Sequence, residues 1–147
     1  MRWKELADQN CSMARALAVL GDRWTMMILR DCFLRVRRFD DFQKRLGIAR
    51  RVLAERLDGL VEDGVLERRA YSERPPRHEY HLTEKGLDLY PVILAMVHWA
   101  DRYCADADGP PVLHRHKSCG QDFRSVLCCS ECGEAVTARE VTAHPSS

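Results

Sequence analysis

The chain has 147 residues, enough for one compact domain of ordinary size plus an appendage. With 46% hydrophobic and 31% charged residues it is not a disordered composition and can bury a sizeable core. A net charge of +1 excludes any argument from overall charge to a polyanionic partner.

Local charge says more. Arg23 to Arg77 holds 14 Lys/Arg against 9 Asp/Glu, whereas His78 to Pro110 holds 2 against 6. A basic middle beside an acidic segment suits a polyanion-binding module on a scaffold that must not bind the polyanion, although scattered solvated faces would give the same counts. Nothing approaches the ~20 apolar residues of a membrane span, and the charged start, Met1 to Ala7, has no signal-peptide core. The expectation is a soluble cytoplasmic protein without a membrane partner. In that setting seven cysteines are thiols, metal ligands or redox sensors rather than a disulfide framework.

In chain order, Cys11 to Leu20 reads as a short amphipathic helix ended by Gly21. Asp22 is placed to cap a second helix whose Trp24, Met27, Ile28 and Cys32 share a face. After the basic connection Arg35-Val36-Arg37-Arg38 comes a third helix, Phe39 to Leu46, capped by Asp40 or Asp41 and stopped at Gly47. A fourth helix runs from Ala49 to Asp63 on a stripe of Leu53, Leu57, Leu60 and Val61, with Gly64 closing it. Val65 to Tyr71 and Arg77 to Leu82 alternate as two strands around a turn at Ser72 to Pro76. Thr83 caps a long helix reaching Tyr103, kinked at Pro91. Asp106 to Pro111 is a linker.

Helices followed by a hairpin give a mainly α architecture with a small β wing, the order of a winged helix-turn-helix. Residues 1–110 form this DNA-binding and dimerisation domain, and residues 111–147 form a Cys/His-rich tail.

Cys11-Ser12-Met13-Ala14-Arg15-Ala16, Leu20-Gly21-Asp22-Arg23-Trp24-Thr25 and Ile28-Leu29-Arg30-Asp31 together resemble the opening of the HxlR-type transcriptional regulators, within the wider winged-helix superfamily of MarR- and ArsR-like proteins. Arg38-Phe39-Asp40-Asp41-Phe42, Leu53-x-x-Arg56-Leu57-x-x-Leu60-x-x-x-Gly64, Tyr80-His81-Leu82-Thr83-x-x-Gly86 and Trp99 extend the resemblance to about Tyr103. It implies a cytoplasmic homodimer that represses or activates promoters, with repression the expected sign. The dimer contact would come from the first helix and the long helix, including Val92, Met96 and Trp99. Two recognition helices in successive major grooves would then read a roughly palindromic double-stranded operator. Independently, the long helix offers more apolar surface than a three-helix core covers, which also asks for a partner.

Arg50 and Arg51 stand at the N-terminal turn of the fourth helix, the end that enters the groove. Arg51 points away from the leucine stripe and is the candidate for a guanine edge, with Arg50 on base or backbone. Here the family more often has serine or a similar cap where Ala49 stands. Arg74 and Arg77 flank Pro75-Pro76 at the wing tip as phosphate or minor-groove probes. Arg68 and Arg69 alternate, so only one faces DNA, and Arg69 is taken. Arg38 and Arg37 are placed for backbone contact. His78 and His81 are expected to pack or hydrogen-bond within the wing.

Cys11, at a helix start, is a candidate redox or electrophile sensor, since such positions favour thiolates, and a packing role is the alternative. A small electrophile or oxidant would be the effector. Cys32 reads as a small buried hydrophobe. In the tail, His116-x-x-Cys119-Gly120 and Cys129-x-x-Cys132-Gly133 are two knuckles with tetrahedral-metal spacing, favouring one structural zinc in a zinc-ribbon-like fold. A redox dithiol at Cys129 and Cys132 competes, with Cys128 the spare thiol and His114 the rival ligand. No Gly-rich phosphate loop, nucleophile elbow or catalytic carboxylate constellation points to an enzyme. Two alternatives stand beside the regulator: a redox or metal-carrying protein centred on the tail, and a winged-helix adaptor for other proteins.

Overall fold

The structure, a computed structural model, describes residues 2–146. The elements run α1 (Trp3–Leu6), α2 (Ser12–Leu20), α3 (Arg23–Phe33), α4 (Phe39–Leu46), α5 (Arg50–Glu62), β1 (Leu66–Glu73), β2 (Pro76–Leu82), α6 (Glu84–Leu87) and α7 (Tyr90–Tyr103), with a 3-10 turn at Ala138–Glu140. Two compact units result, one up to Ile93 and one from Leu94 onward.

In the first unit the apolar stripes of α3 and α5 face one another. Ile28 and Leu29 of α3, Phe42 of α4, and Leu53 and Leu57 of α5 are fully buried, with Leu60, Val65 and Leu66 beside them. Each boundary has a local cause. Asp22 accepts the amides of Trp24 and Thr25 at the start of α3, as its position predicts. Arg56 of α5 donates its Nη2 to the Oδ2 of the same carboxylate at 3.2 Å, fixing α5 against that cap. Burial disfavours the charge on Asp22, but the hydrogen bond from Arg56 and the amide of Thr25 outweigh it and hold the carboxyl below its usual range. Gly47 ends α4 in the left-handed region at φ 62°, and its N–H reaches Gln43 O at 2.9 Å.

Asp31, fully buried, receives Arg30 from its own helix at 2.7 Å and Arg45 from α4 at 3.1 Å. Gly86 sits where an added Cβ would lie 2.3 Å from the Val65 carbonyl oxygen, so no larger residue fits without moving backbone.

β1 and β2 pair antiparallel from Leu66↔Leu82 to Glu73↔Pro76, with an irregularity between Ala70 and Ser72. On its other edge β2 takes a short antiparallel bridge, Arg38↔Glu79, where Tyr80 N–H donates to Arg37 O at 2.7 Å.

Three sequence expectations change. The N-cap position of α4 is Arg38, and Asp40 and Asp41 lie in the first turn, where they favour the helix dipole instead of capping. The wing strands are longer than expected, leaving Arg74-Pro75 between them. The helix after Thr83 is two helices: Thr83 caps only α6, by accepting the Gly86 amide, and α7 starts afresh at Tyr90. Pro91 therefore occupies the first turn of α7, where a missing N–H costs nothing, and it opens the helix instead of kinking it.

Candidate nucleic-acid interface

α4, the turn at Gly47, and α5 form the helix-turn-helix, and β1–β2 is the wing. Ala49 has extended N-cap geometry but no side-chain oxygen, so no side chain caps the first amides of α5. That leaves donors and the positive end of the helix dipole free for a phosphate.

The two arginines that open α5 are held differently. Arg50 lies over the Phe39 ring, 4.6 Å from its centroid, and donates to Gln43 Oε1 at 3.1 Å and Asp40 Oδ1 at 3.3 Å. It is tied to α4. The Arg51 side chain is 90% exposed and, among the described residues, bonds only Glu55, one turn on, at 3.2 Å. An exposed i,i+4 pair is worth only about 0.3–0.5 kcal/mol, so Arg51 can exchange it for a base edge.

Around the wing, Arg38 is occupied: it donates to Glu79 at 3.4 Å and stacks on Tyr71 at 4.3 Å. Its job in the free protein is to lock the start of α4 to the wing. Arg69 pairs with Glu67, and Arg68 pairs with Asp58 of α5 beside the Tyr80 ring. Hydrogen bonds to Tyr80 and Asp58 accordingly raise the Arg68 pKa. Arg74 and Arg77 are exposed at the wing tip and form no ion pair with the described residues. His81 contacts Glu79 at 3.3 Å inside the wing, whereas His78 is exposed. No local signal announces the clamps formed by Phe39, Gln43 and Tyr71, because each joins residues from separate elements.

Cys11 is exposed at the N-cap position of α2 and makes no side-chain cap bond. Cys32 is buried, and desolvation, reinforced by the Asp31 charge, pushes its thiol up to about 12. It is an inert core residue, as its place on the stripe predicts.

Val92, Met96 and Trp99 are exposed on α7, at 44%, 54% and 63%. In the second unit, His98 Nδ1 accepts the Ser125 amide at 2.7 Å beside a cleft of about 720 Å³ lined by Trp99, Leu113, His114, Phe123 and Val126. His116 Nδ1 and Cys119 Sγ lie 3.6 Å apart. Cys129 Sγ accepts the amides of Cys132 and Glu131, which together with the Cys132 thiol lower its pKa. Among the described residues no three His, Cys, Asp or Glu side chains converge on a single point, so the four tail ligands stand as two pairs.

A helix-turn-helix with an uncapped recognition-helix start, an exposed arginine there and a basic wing tip defines a DNA-binding module of the winged-helix class. Residues 19–108 match the HxlR-like helix-turn-helix family, and the chain belongs to it. It is 47% identical over 134 residues to the uncharacterised HTH-type transcriptional regulator Mb3122 of Mycobacterium bovis, covering 91% of this chain and 85% of that one. The solved structure of PA1607, a proposed transcription factor, superposes with a TM-score of 0.84 at 35% identity, over 95% of this chain and 98% of that one. The redox regulator HypR in its reduced form superposes with a TM-score of 0.58 at 31% identity, over 63% of this chain and 92% of that one. The chain is thus a transcriptional regulator with a helix-turn-helix DNA-binding fold. No described helix is long and apolar enough to cross a membrane. Cys11 precedes the residues that match the family.

Proposed function

We propose that the chain binds a roughly palindromic double-stranded operator as a homodimer and represses transcription there by occluding the promoter. The observation that carries the reading is Arg51, on the first turn of α5, 90% exposed and held only by a weak local pair. Its planar fork can donate two parallel hydrogen bonds to the O6 and N7 of guanine. The uncapped amides of α5 would take a backbone phosphate, and Arg74 and Arg77 the phosphates or minor groove beside it. Arg50, Arg38 and Arg69, each paired within the domain, would act chiefly by holding α4 and the wing at the right angle, reaching DNA only on release from those pairs.

The exposed stripe of Val92, Met96 and Trp99 supports self-association through α7, and exposed Met13 and Leu17 support a contribution from α2. Cys11, exposed at the start of α2, would link an oxidant or electrophile to that contact. Alkylation would form a carbon–sulfur bond on the thiolate, its proton having left to solvent, and would disturb the half-site spacing. The likeness to HypR supports this reading.

The test is binding to the DNA upstream of the protein's own gene, measured against salt. Neutralised phosphates give a linear fall of log K with log salt. Specific binding with that slope, and loss of sequence preference in Arg51→Ala, is the expected result. Preference intact in Arg51→Ala, or a flat salt response, would remove α5 as the reading element.

A further inference from the structure

The unit from Leu94 onward contains a duplicated piece of backbone. His114 O accepts Phe123 N–H at 2.9 Å, His116 N–H donates to Gln121 O at 2.9 Å, and Gly120 N–H donates to His116 O at 2.8 Å. Thirteen positions on (116 to 129, 120 to 133) the same three bonds recur: Leu127 O from Val136 N–H at 2.9 Å, Cys129 N–H to Glu134 O at 2.8 Å, and Gly133 N–H to Cys129 O at 2.8 Å. The paired bridges Arg115↔Asp122 and Cys128↔Ala135 obey the same offset. Gly120 and Gly133 are both left-handed, at φ 71° and 77°.

Side chains at equivalent positions differ almost everywhere, with Lys117 against Ser130, Ser118 against Glu131 and Phe123 against Val136. What the two copies share is a metal-ligand type at the first position (His116, Cys129), cysteine at the fourth (Cys119, Cys132) and glycine at the fifth. The repeat also selects among neighbours. Cys128 matches Arg115 and His114 matches Leu127, so neither spare ligand has a counterpart.

We infer that this unit holds one structural zinc ion through His116 Nδ1 and the thiolates of Cys119, Cys129 and Cys132. Zn–S of about 2.3 Å and Zn–N of about 2.0–2.1 Å at a tetrahedral angle set sulfur and nitrogen about 3.6 Å apart. His116 Nδ1 and Cys119 Sγ stand at 3.6 Å. Each knuckle, which stands as a separate pair here, would contribute its two ligands to the ion. Four protein ligands fill the tetrahedron and leave no position for water or substrate, so the ion holds structure. The need is plain: of the described apolar side chains from Leu94 onward, only Leu94 is buried.

Elemental analysis of the full chain, purified without added metal, should find one zinc per chain. Cobalt exchange should give intense tetrahedral d–d bands and thiolate-to-cobalt charge transfer. Cys129→Ser should weaken cobalt affinity at least tenfold, and Cys128→Ser should leave it unchanged. Thiol counting supplies a readout that does not depend on a variant folding: Cys11, Cys104 and Cys128 label fast in the zinc form, and chelation raises the fast set to six by freeing Cys119, Cys129 and Cys132. Absence of zinc together with a Cys129–Cys132 disulfide would overturn the inference in favour of a dithiol. Zinc kept in Cys129→Ser but lost in Cys128→Ser would overturn the ligand set. DNA binding by the helix-turn-helix is scored separately, so either result leaves the operator reading standing or falling on its own.

Discussion

The two units solve the problem of staying folded in different ways. Up to Ile93 the chain buries a continuous apolar core drawn from α2, α3, α4, α5, the start of the wing and the first turn of α7. From Leu94 onward the large apolar side chains Leu113, Val126 and Leu127 are all exposed, and order comes from backbone hydrogen bonds in two knuckles. Hydrophobic burial scales with area, so a short segment that buries almost nothing cannot meet the entropy of ordering its backbone by that route. The inferred zinc would supply the difference as a cross-link between cysteine and histidine at metal spacing. On that inference one unit is specified by volume and the other by valence.

The sharpest way to break this contrast is to remove the inferred zinc. Because a structural ion's binding free energy is folding free energy, chelation should unfold the knuckles and leave the helix-turn-helix intact. Heteronuclear spectra should show amides after Pro111 collapsing while those of α3 to α5 keep their dispersion. Simultaneous loss of both sets would show that the units are not independent.

Next in size is the core itself. Phe42→Ala removes a fully buried ring and should cost about 3–5 kcal/mol, read as a lower urea midpoint at unchanged slope. Leu127→Ala, at a site 72% exposed, should stay within about 0.5 kcal/mol. Equal costs would abolish the distinction.

Arg51→Ala should cost about 1–3 kcal/mol at one base pair per half-site, whereas Arg74→Ala should weaken all DNA alike and flatten the salt slope. Competition between operator and scrambled duplex separates the two.

The smallest effect sits at the seam between α3 and α5. Asp22→Ala loses two capped amides and the Arg56 pair, for about 1–2 kcal/mol. Since the folded pKa of Asp22 lies below its unfolded value of about 3.9, its contribution is present above that value and fades as pH falls through the lower folded pKa. A wild-type minus Asp22→Asn stability difference that does not shrink on acidification would contradict this.

The sequence made α3, α4, α5 and the wing legible because their signals are local: leucines at helical spacing, glycines at the stops, alternation in the strands. It also singled out Asp22, Arg56, Thr83 and Gly86 through the family pattern, and the structure supplies their reasons as two caps, an ion pair and a close approach to the Val65 carbonyl. Pro91 misled because proline carries one meaning inside a helix and another in its first turn, and the break at Leu89 that decides between them has no strong local marker. Among the candidate DNA residues, the exposure of Arg51 followed from its place opposite the leucine stripe. The capture of Arg50 by Phe39 and of Arg38 by Tyr71 did not, because each depends on how separate elements meet.

Asp31 has a consequence for how such a regulator can be handled and for how it can let go of DNA. Its carboxylate has no exposure, so mobile ions cannot easily screen its bonds to Arg30 and Arg45, whereas Arg51, Arg74 and Arg77 face bulk electrolyte. A rise in ionic strength that strips the protein from the proposed operator should therefore leave α3 and α4 clasped. Release by salt would then be a reversible undocking of an intact domain, ready to bind again.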